Sequence, residues 1–557
     1  MRRSLALLAA LSAVVVSTPA SAQQRGGIIT VQEITDVDYL DPGRTYYTVG
    51  YAVAFATVRP LYGHFPGDGD PSPRPDLAAA APAISDGNRT ITVPIRQGVR
   101  FAPPVNREVQ ARDVKYAIER AFSRSVGGQY TFYFSDIVGA PSRPPRTPRA
   151  IRGITTPDPY TLRIRLSRPV AAQVAAALVM PITAPVPKEV AGADDRKGVS
   201  TYNRHVVASG PYMVTRYRIG RSIQLRRNPN WNPASDPRPA YADGFDIDAD
   251  NRDAYAAEQR VLRGSRMLAG GSVTARTLAG QATRPSQFLS VDSGGTRYLS
   301  LNTRIKPLTK LNVRRAIVAG FDRERLRAAR GPAAIGKIAT HFIPPGVPGF
   351  AEAGGDAGPI PELYGHTRGN RALMADYFRK AGYKGGRYRG KARLLVVGAN
   401  VRPGSTQARE AARQLRSMGF RTRLKLVQQD AVYTEWCQQP RKRVAVCAST
   451  GWFKDFNDPQ SMLQPLFDGR WITRNGGNNN LAELNVPAIN RAMSSASVLP
   501  PGPQRLAAWA GVDKQIMAAA PAVPFLWDVS HFVQSADVAG ALNPYSTYWD
   551  YSFTSIR

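Results

Sequence analysis

Length sets the first limit on what this chain can fold into. Its 557 residues exceed the roughly 250 to 300 at which one hydrophobic core stops growing, so at least two lobes are expected. A hydrophobic content of 43% is ample to fill their cores. The N-terminus narrows the class further. Met1 to Ala22 carries Arg2 and Arg3, an apolar stretch from Leu5 to Val16, and then Ala20-Ser21-Ala22, the charged, apolar and small-residue order of a secretory signal. The mature chain is expected to begin at Gln23. Ser4-Leu5-Ala6 does not continue a twin-arginine export signal, so the arginine pair reads as an ordinary basic leader. No later segment offers the roughly 20 uninterrupted apolar residues of a membrane helix, so no integral membrane segment is expected in the mature chain. The first cysteine is Cys437, which leaves none after the signal to accept a lipid. The expectation is an exported protein, periplasmic or extracellular and not lipid-anchored.

Lys and Arg number 74 against 41 Asp and Glu, a formal charge of +33. Such an excess raises binding to nucleic acid or another anionic surface as a function class. The arginines are nevertheless scattered through every segment. Where they cluster, as in RYRIGRSIQLRRNP from Arg216 to Pro229, they alternate with apolar residues as the outer face of strands does. No helix-turn-helix, zinc or aromatic RNA-binding signature accompanies them, so no nucleic-acid partner is expected.

Two cysteines in an exported chain are expected to pair. Cys437 follows an apparent helix, DAVYTEWC, and Cys447 ends an apolar stretch, RVAVC, with a turn through Pro440 between them. A Cys437–Cys447 bridge closing about ten residues is worth roughly 2 to 3 kcal/mol by loop entropy.

Enzyme signatures are weak. GPAAIGKI, Gly331 to Ile338, has the glycine and lysine spacing of a phosphate loop, but Ile338 stands where Ser or Thr would hold Mg²⁺. The five histidines, His64, His205, His341, His366 and His531, lack metal-ligand spacing, and no Gly-x-Ser-x-Gly elbow is present. No cofactor and no metal are expected.

The most informative motif is GWFKDFNDPQSML, Gly451 to Leu463. It sets Trp452 three residues before Asp455 on a loop rich in turn formers, an arrangement that can read an amine. The motif resembles the signature of the extracytoplasmic solute-binding proteins of family 5, the peptide, nickel and oligosaccharide binders of ABC importers. Further segments follow in the order of that family. GGIITVQEITDVDYLDPG (Gly26 to Gly43) resembles its opening, SGPYMVTRYRIGRSIQLRRNPNW (Ser209 to Trp231) ends in its Arg-Asn-Pro segment, and YLSLNTRIKPLTKLNVRRAIVAGFDRERL (Tyr298 to Leu326) resembles the start of its second lobe, a strand meeting a long helix. VPFLWDVSHFVQSADVAG (Val523 to Gly540) resembles the return crossing. The resemblance covers essentially the whole mature chain.

Periodicity places local elements within this order. Ile91, Val93 and Ile95 alternate along a strand after a turn at Ser85-Asp86-Gly87, and Val114, Ala117, Ile118 and Ala121 line one face of a helix. Gly390 to Gln429 reads as a βαβ unit.

The resemblance implies a two-lobed α/β fold of the periplasmic-binding-protein type (class II, cluster C), with mixed sheets and a ligand cleft between lobes. Lobe one would join 23–295 with 525–557, and lobe two would span 296–524. The implied function is capture of a solute, foremost an oligopeptide or dipeptide, by a monomer that delivers it to a membrane permease. The same scaffold binding a sugar, metal chelate or opine is the alternative, with an extracytoplasmic enzyme or basic surface-binding protein as a further class. The family pattern carries Asp455 to the ligand ammonium and Trp452 to the pocket wall. It carries Asp36 and Val37 to the ligand backbone, and Tyr130 and Tyr133 to the facing wall. Ser449 stands where some relatives place a carboxylate-binding arginine, and Lys454 adds a positive charge beside Asp455.

Overall fold

A computed structural model describes residues 23–67, 72–474 and 477–557; the expected signal, Met1 to Ala22, lies outside the described residues. Three sheets dominate. A five-stranded mixed sheet runs in the order Met267–Ala269, Ile28–Gln32, Gly244–Asp248, Ser222–Arg227, Tyr212–Arg218. A four-stranded antiparallel sheet is built from Ala83–Ser85, Thr90–Pro94, Thr161–Arg165 and Ile154–Asp158. A six-stranded mixed sheet runs Gly336–Lys337, Ala522–Val533, Phe288–Leu301, Val446–Phe453, Arg393–Ala399, Arg421–Val427. No helix among the described residues is long and apolar enough to cross a membrane.

Local sequence explains these elements. In Thr90–Pro94 the alternating Ile91 and Val93 are fully buried, and the preceding turn uses positive φ at Asp86, Gly87 and Asn88, a conformation those residue types tolerate best. The helix Ala111–Ala121 opens with a reciprocal cap between Gln110 and Asp113 and buries Val114, Ala117, Ile118 and Ala121. Arg393–Ala399, Gly404–Ser417 and Arg421–Val427 form the expected βαβ unit, with the two strands paired in parallel. In the Tyr212–Arg227 hairpin Ile223 and Leu225 point inward while Arg216 and Arg218 face solvent.

Two expectations change. The segment read as one long helix after Tyr298 is two, Leu311–Gly320 and Arg323–Arg330; the Asp322 side chain accepts from the Arg325 amide and caps a new helix. The stretch expected to end at Cys447 instead begins a strand, Val446–Phe453, that continues through Trp452. Cys437 closes a π-helical turn, Val432–Cys437, and is joined to Cys447 with Cα atoms 6.1 Å apart.

Three large hydrophobic cores lie under these layers. One gathers side chains from Tyr298 to Leu526. A second draws on Tyr51 to Ala208 and adds Phe456 and Tyr545. A third joins Ile29 to Leu268 with Phe532 to Ile556. The long antiparallel strands Phe288–Leu301 and Ala522–Val533 run side by side from the first core toward the third, and their register breaks between Asp292 and Thr296. Gly294, at φ +58°, sits in that break.

Some of the arginines are structural. Arg120 is fully buried between Asp41 and Asp195 at 2.7 Å each. Arg59 and Arg238 share Asp76 and Asp236, all four buried. A buried ion can persist only with such partners.

Candidate functional site

Asp455 is held at the junction of two cores. Trp452 is the penultimate residue of Val446–Phe453, opposite Thr296 on the neighbouring strand. Its indole N–H donates to the Ser461 carbonyl at 2.8 Å, and the side chain is 5% exposed. After the strand the Lys454 amide donates to the Gly294 carbonyl at 3.0 Å. Asp458 then caps the helix Pro459–Phe467 through the Gln460 amide and pairs with Arg505 at 2.8 Å. The short loop between is therefore pinned at both ends, which fixes where Asp455 points.

Tyrosines from the second core close over it. The Tyr133 hydroxyl donates to Asp455 Oδ2 at 2.5 Å, Tyr130 is a second hydroxyl partner, and the Tyr545 hydroxyl donates to the Asp455 carbonyl oxygen. Tyr130 and Tyr133 stack with centroids 6.3 Å apart, and Tyr46 stacks on Tyr130 at 5.6 Å while lying 6.5 Å from the Trp452 ring. Phe456 is 1% exposed, meets Tyr133 edge-on at 4.9 Å, and packs into the core of Tyr51 to Ala208.

The electrostatics follow from this packing. Asp455 is 7% exposed, and burial pushes its carboxyl up to about 8, the two tyrosine hydroxyls opposing the shift. No cation is among the causes of that shift, and neighbouring Lys454 is itself pushed down by burial. Burial and the nearby carboxylate hold the Tyr46, Tyr130, Tyr133 and Tyr545 hydroxyls well above their ordinary value. A desolvated carboxyl lined by hydroxyls and aromatic faces is chemically suited to an ammonium, which can donate to the oxygens and rest against the rings.

The remaining candidates are placed elsewhere. Asp36 accepts from its own Val37 amide at 2.8 Å, the Tyr217 hydroxyl at 3.0 Å and the Gly220 amide at 2.7 Å, holding the tip of the Tyr212–Arg227 hairpin. Val37 packs in the third core. Ser449 is buried, accepting from the Ala399 amide and donating to the Gly404 carbonyl. Beside Trp452, Gly451 pairs with Arg297 across the sheet, and Arg297 and Arg330 both contact the single carboxylate of Asp528. Sequence reading missed Tyr46, Tyr51, Tyr545 and Phe456. The aromatic runs Tyr46-Tyr47 and Tyr545-Ser546-Thr547-Tyr548-Trp549 were the available signal.

An open cavity of about 750 Å³ lies between Pro103-Pro104, Arg204–Val207 and the edge strand Tyr212–Arg218. None of the residues around Asp455 lines it. Among the described residues no group of three or more His, Cys, Asp or Glu is placed to hold a metal ion.

Comparison with known proteins agrees with this architecture. The model of the bacterial extracellular solute-binding proteins, family 5 (middle), matches residues 72–474. The oligopeptide-binding protein OppA of Bacillus subtilis (strain 168) is 20% identical over 487 residues, 85% of this chain and 83% of that protein. The solved structure of clavulanic acid biosynthesis oligopeptide binding protein 2 superposes with a TM-score of 0.84 at 27% identity, covering 96% of each chain. AgaA of A. tumefaciens, solved with agropinic acid, superposes at 0.75 with 18% identity over 95% of this chain and 99% of its own, a likeness of fold alone. With a family match over well more than half its length and mixed sheets in the same arrangement, the chain belongs to the bacterial extracellular solute-binding proteins of family 5.

Proposed function

We propose that this protein is the ligand-capturing component of an ABC-type importer. It closes two lobes on a peptide whose ammonium pairs with Asp455, and it hands that peptide, chemically unchanged, to a membrane permease. Lobe one comprises 23–295 with 525–557, and lobe two 296–524. The strands Phe288–Leu301 and Ala522–Val533 serve as hinges, bending at the register break beside Gly294. A ligand that touches both lobes favours the closed state by its differential contacts. The protein acts as an exported monomer, and not as an enzyme.

The observation that carries this reading is Asp455 itself: a buried carboxyl from one core, faced by tyrosines from another, with hydroxyls where a cation would bind. Trp452, Tyr130 and Tyr133 wall the subsite. Asp36 and Val37, bound up with the Tyr212–Arg227 hairpin and the third core, take no part in this subsite. The surplus positive charge of Arg297 and Arg330 over Asp528, one residue across the sheet from Trp452, suits the carboxylate end of a peptide. The relatives named for oligopeptides support the same class, and extended peptides suit such clefts because backbone groups are bound whatever the side chains.

The test is thermal unfolding with di-, tri- and oligopeptide mixtures, their N-acetylated forms, sugars and opines. Free-amine peptides should raise the melting temperature as concentration exceeds Kd and be recovered intact. Stabilisation by a sugar or opine alone, or turnover of the peptide, would overturn the assignment.

A further inference from the structure

The open cavity of about 750 Å³ takes no part in peptide capture at Asp455, and no residue of 296–524 lines it. Leu40, Pro103, Pro104, Val190 and Val207 give it apolar walls. One side is formed by Met213, Val214, Thr215, Arg216 and Tyr217, five consecutive residues of a single strand. Side chains alternate between the two faces of a strand, so a run of consecutive residues meets one space along the strand's hydrogen-bonding edge rather than across a face. Tyr212–Arg218 is the terminal strand of its sheet and pairs only with Ser222–Arg227. Its free edge of backbone N–H and C=O groups therefore borders the cavity.

We propose that this edge is a docking site for an extended acidic segment of a partner protein, which adds a strand to Tyr212–Arg218, sets an aliphatic side chain among the apolar walls and pairs its carboxylates with Arg204 and Arg216. Backbone pairing at a sheet edge supplies affinity whatever the sequence, and side-chain pockets beside it supply selection. The sign of the charge follows from the lining: Arg204, His205 and Arg216 border the cavity, and no Asp or Glu does. Two acids that touch lining residues are already engaged. Asp194 is occupied by His205 at 3.1 Å and Lys197 at 3.0 Å, and Asp36 accepts from the Tyr217 hydroxyl and the Gly220 amide. Arg204 and Arg216 are exposed and form no ion pair among the described residues.

The surroundings are braced. Asn203 Oδ1 accepts from the Leu40 and Asp41 amides, the latter at 3.1 Å, and Asp41 pairs with the buried Arg120. Asp36 clamps the hairpin tip through Gly220. At about 3.3 Å per residue Met213 to Tyr217 spans about 13 Å, so an added strand of about five residues fits. Other occupants suit the edge less well. The register shifts between Val214 and Arg216, which bends the edge, and two copies paired edge to edge would set Arg216 and Arg218 against like charges. The N-terminal segment, Met1 to Ala22, carries Arg2 and Arg3 and no acid, the wrong sign for Arg204 and Arg216. Charge on an edge by itself serves to prevent aggregation; the cavity alongside is what gives this edge room for an occupant.

Because 296–524 contributes nothing to the cavity, docking requires neither a peptide at Asp455 nor contact between the lobes. The partner can hold the protein loaded or empty, and the site stands or falls independently of the ammonium assignment.

The test uses the purified protein and a short peptide alternating valine and glutamate, acetylated and amidated so that it brings no ammonium to Asp455. Hydrogen-exchange mass spectrometry should show the cavity-facing amides of Met213 to Arg218 slowed about tenfold or more at saturation. Calorimetry should show affinity lowered about tenfold or more by Arg204→Glu combined with Arg216→Glu, with circular dichroism confirming that the variant is folded. Independently of any variant, the same peptide with lysine for glutamate, or with alternate amides N-methylated, should not bind. Asp455→Asn should bind the peptide as wild type does. Exchange at Met213 to Arg218 unchanged by saturating peptide would overturn the proposal, as would equal binding of the N-methylated form. Octanoate competing for the site as strongly as the peptide would make it a pocket for small carboxylates and overturn the strand. A dimer in sedimentation that protects the same amides would make the occupant a second copy, and loss of binding in Asp455→Asn would place the probe in the amine subsite; either result refutes the docking edge.

Discussion

Replacing Asp455 by Asn separates a binding carboxylate from a loop cap. Asparagine keeps the size and the acceptor that Tyr133 uses, but it cannot balance an ammonium. The carboxyl stands at about 8 in this seam, so at pH 6 an incoming ammonium must first draw off its proton, at about 1.4 kcal/mol per pH unit. A pair that overcomes this must be strong. Truncating one partner of such a desolvated pair costs on the order of 2 to 5 kcal/mol of binding, so affinity for a free-amine peptide should fall at least tenfold. Titration calorimetry reads the affinity, and the melting temperature without ligand should not fall, because the neutral side chain removes the cost of burying a carboxyl raised to about 8. Acetylating the peptide's amine should reproduce the loss in wild type and add little in the variant, because both remove one interaction. If Asp455→Asn instead lowers the ligand-free melting temperature and leaves affinity untouched, the residue is a cap and the ammonium assignment fails.

Three other outcomes are expected. Peptide mapping without reductant should recover Cys437 joined to Cys447, and reduction should cost roughly 2 to 3 kcal/mol in a denaturant titration; two freely alkylated thiols in native protein would contradict the structure. Glu33 is buried against Tyr548 and pushed up to about 7. Its raised value means stability held below its ordinary 4.5 is lost as pH rises toward 7, so Glu33→Gln should be stabilised relative to wild type by up to about 3 kcal/mol at pH 8 and not at pH 4. Arg120→Met leaves Asp41 and Asp195 buried and unpaired, so chemical unfolding should show a loss of about 3 to 5 kcal/mol; a loss below 1 kcal/mol would mean the site admits water.

The parts of the fold legible in sequence were those fixed by local pattern. Ile91 and Val93 alternate because one face of Thr90–Pro94 is buried, and the βαβ unit from Arg393 to Val427 carries its own periodicity. The break at Asp322 was also local, since Asp-Arg-Glu-Arg is a capped helix start, but the apolar run before it masked it. Asp455 stood out because its loop has a distinctive composition. Its partners did not, because Tyr133 and Tyr545 lie 322 and 90 residues away, and only tertiary packing selects them from 23 tyrosines. Asp36 shows the same limit: its link to Gly220 spans 184 residues, and nothing near Asp36 announces a hairpin tip as its partner. Phe456 was least legible of all, because a phenylalanine in a turn-rich loop carries no sign of which core will bury it.

The central claim is that a peptide, held by its amine, fills the seam between the lobes. Native mass spectrometry of the protein purified from its own envelope or culture medium tests this directly, since a ligand bound in place is weighed with its carrier. The account predicts a ladder of added masses that dissociates into peptides with free amino termini and disappears in Asp455→Asn. A single sugar, opine or metal chelate bound with unit stoichiometry would contradict it.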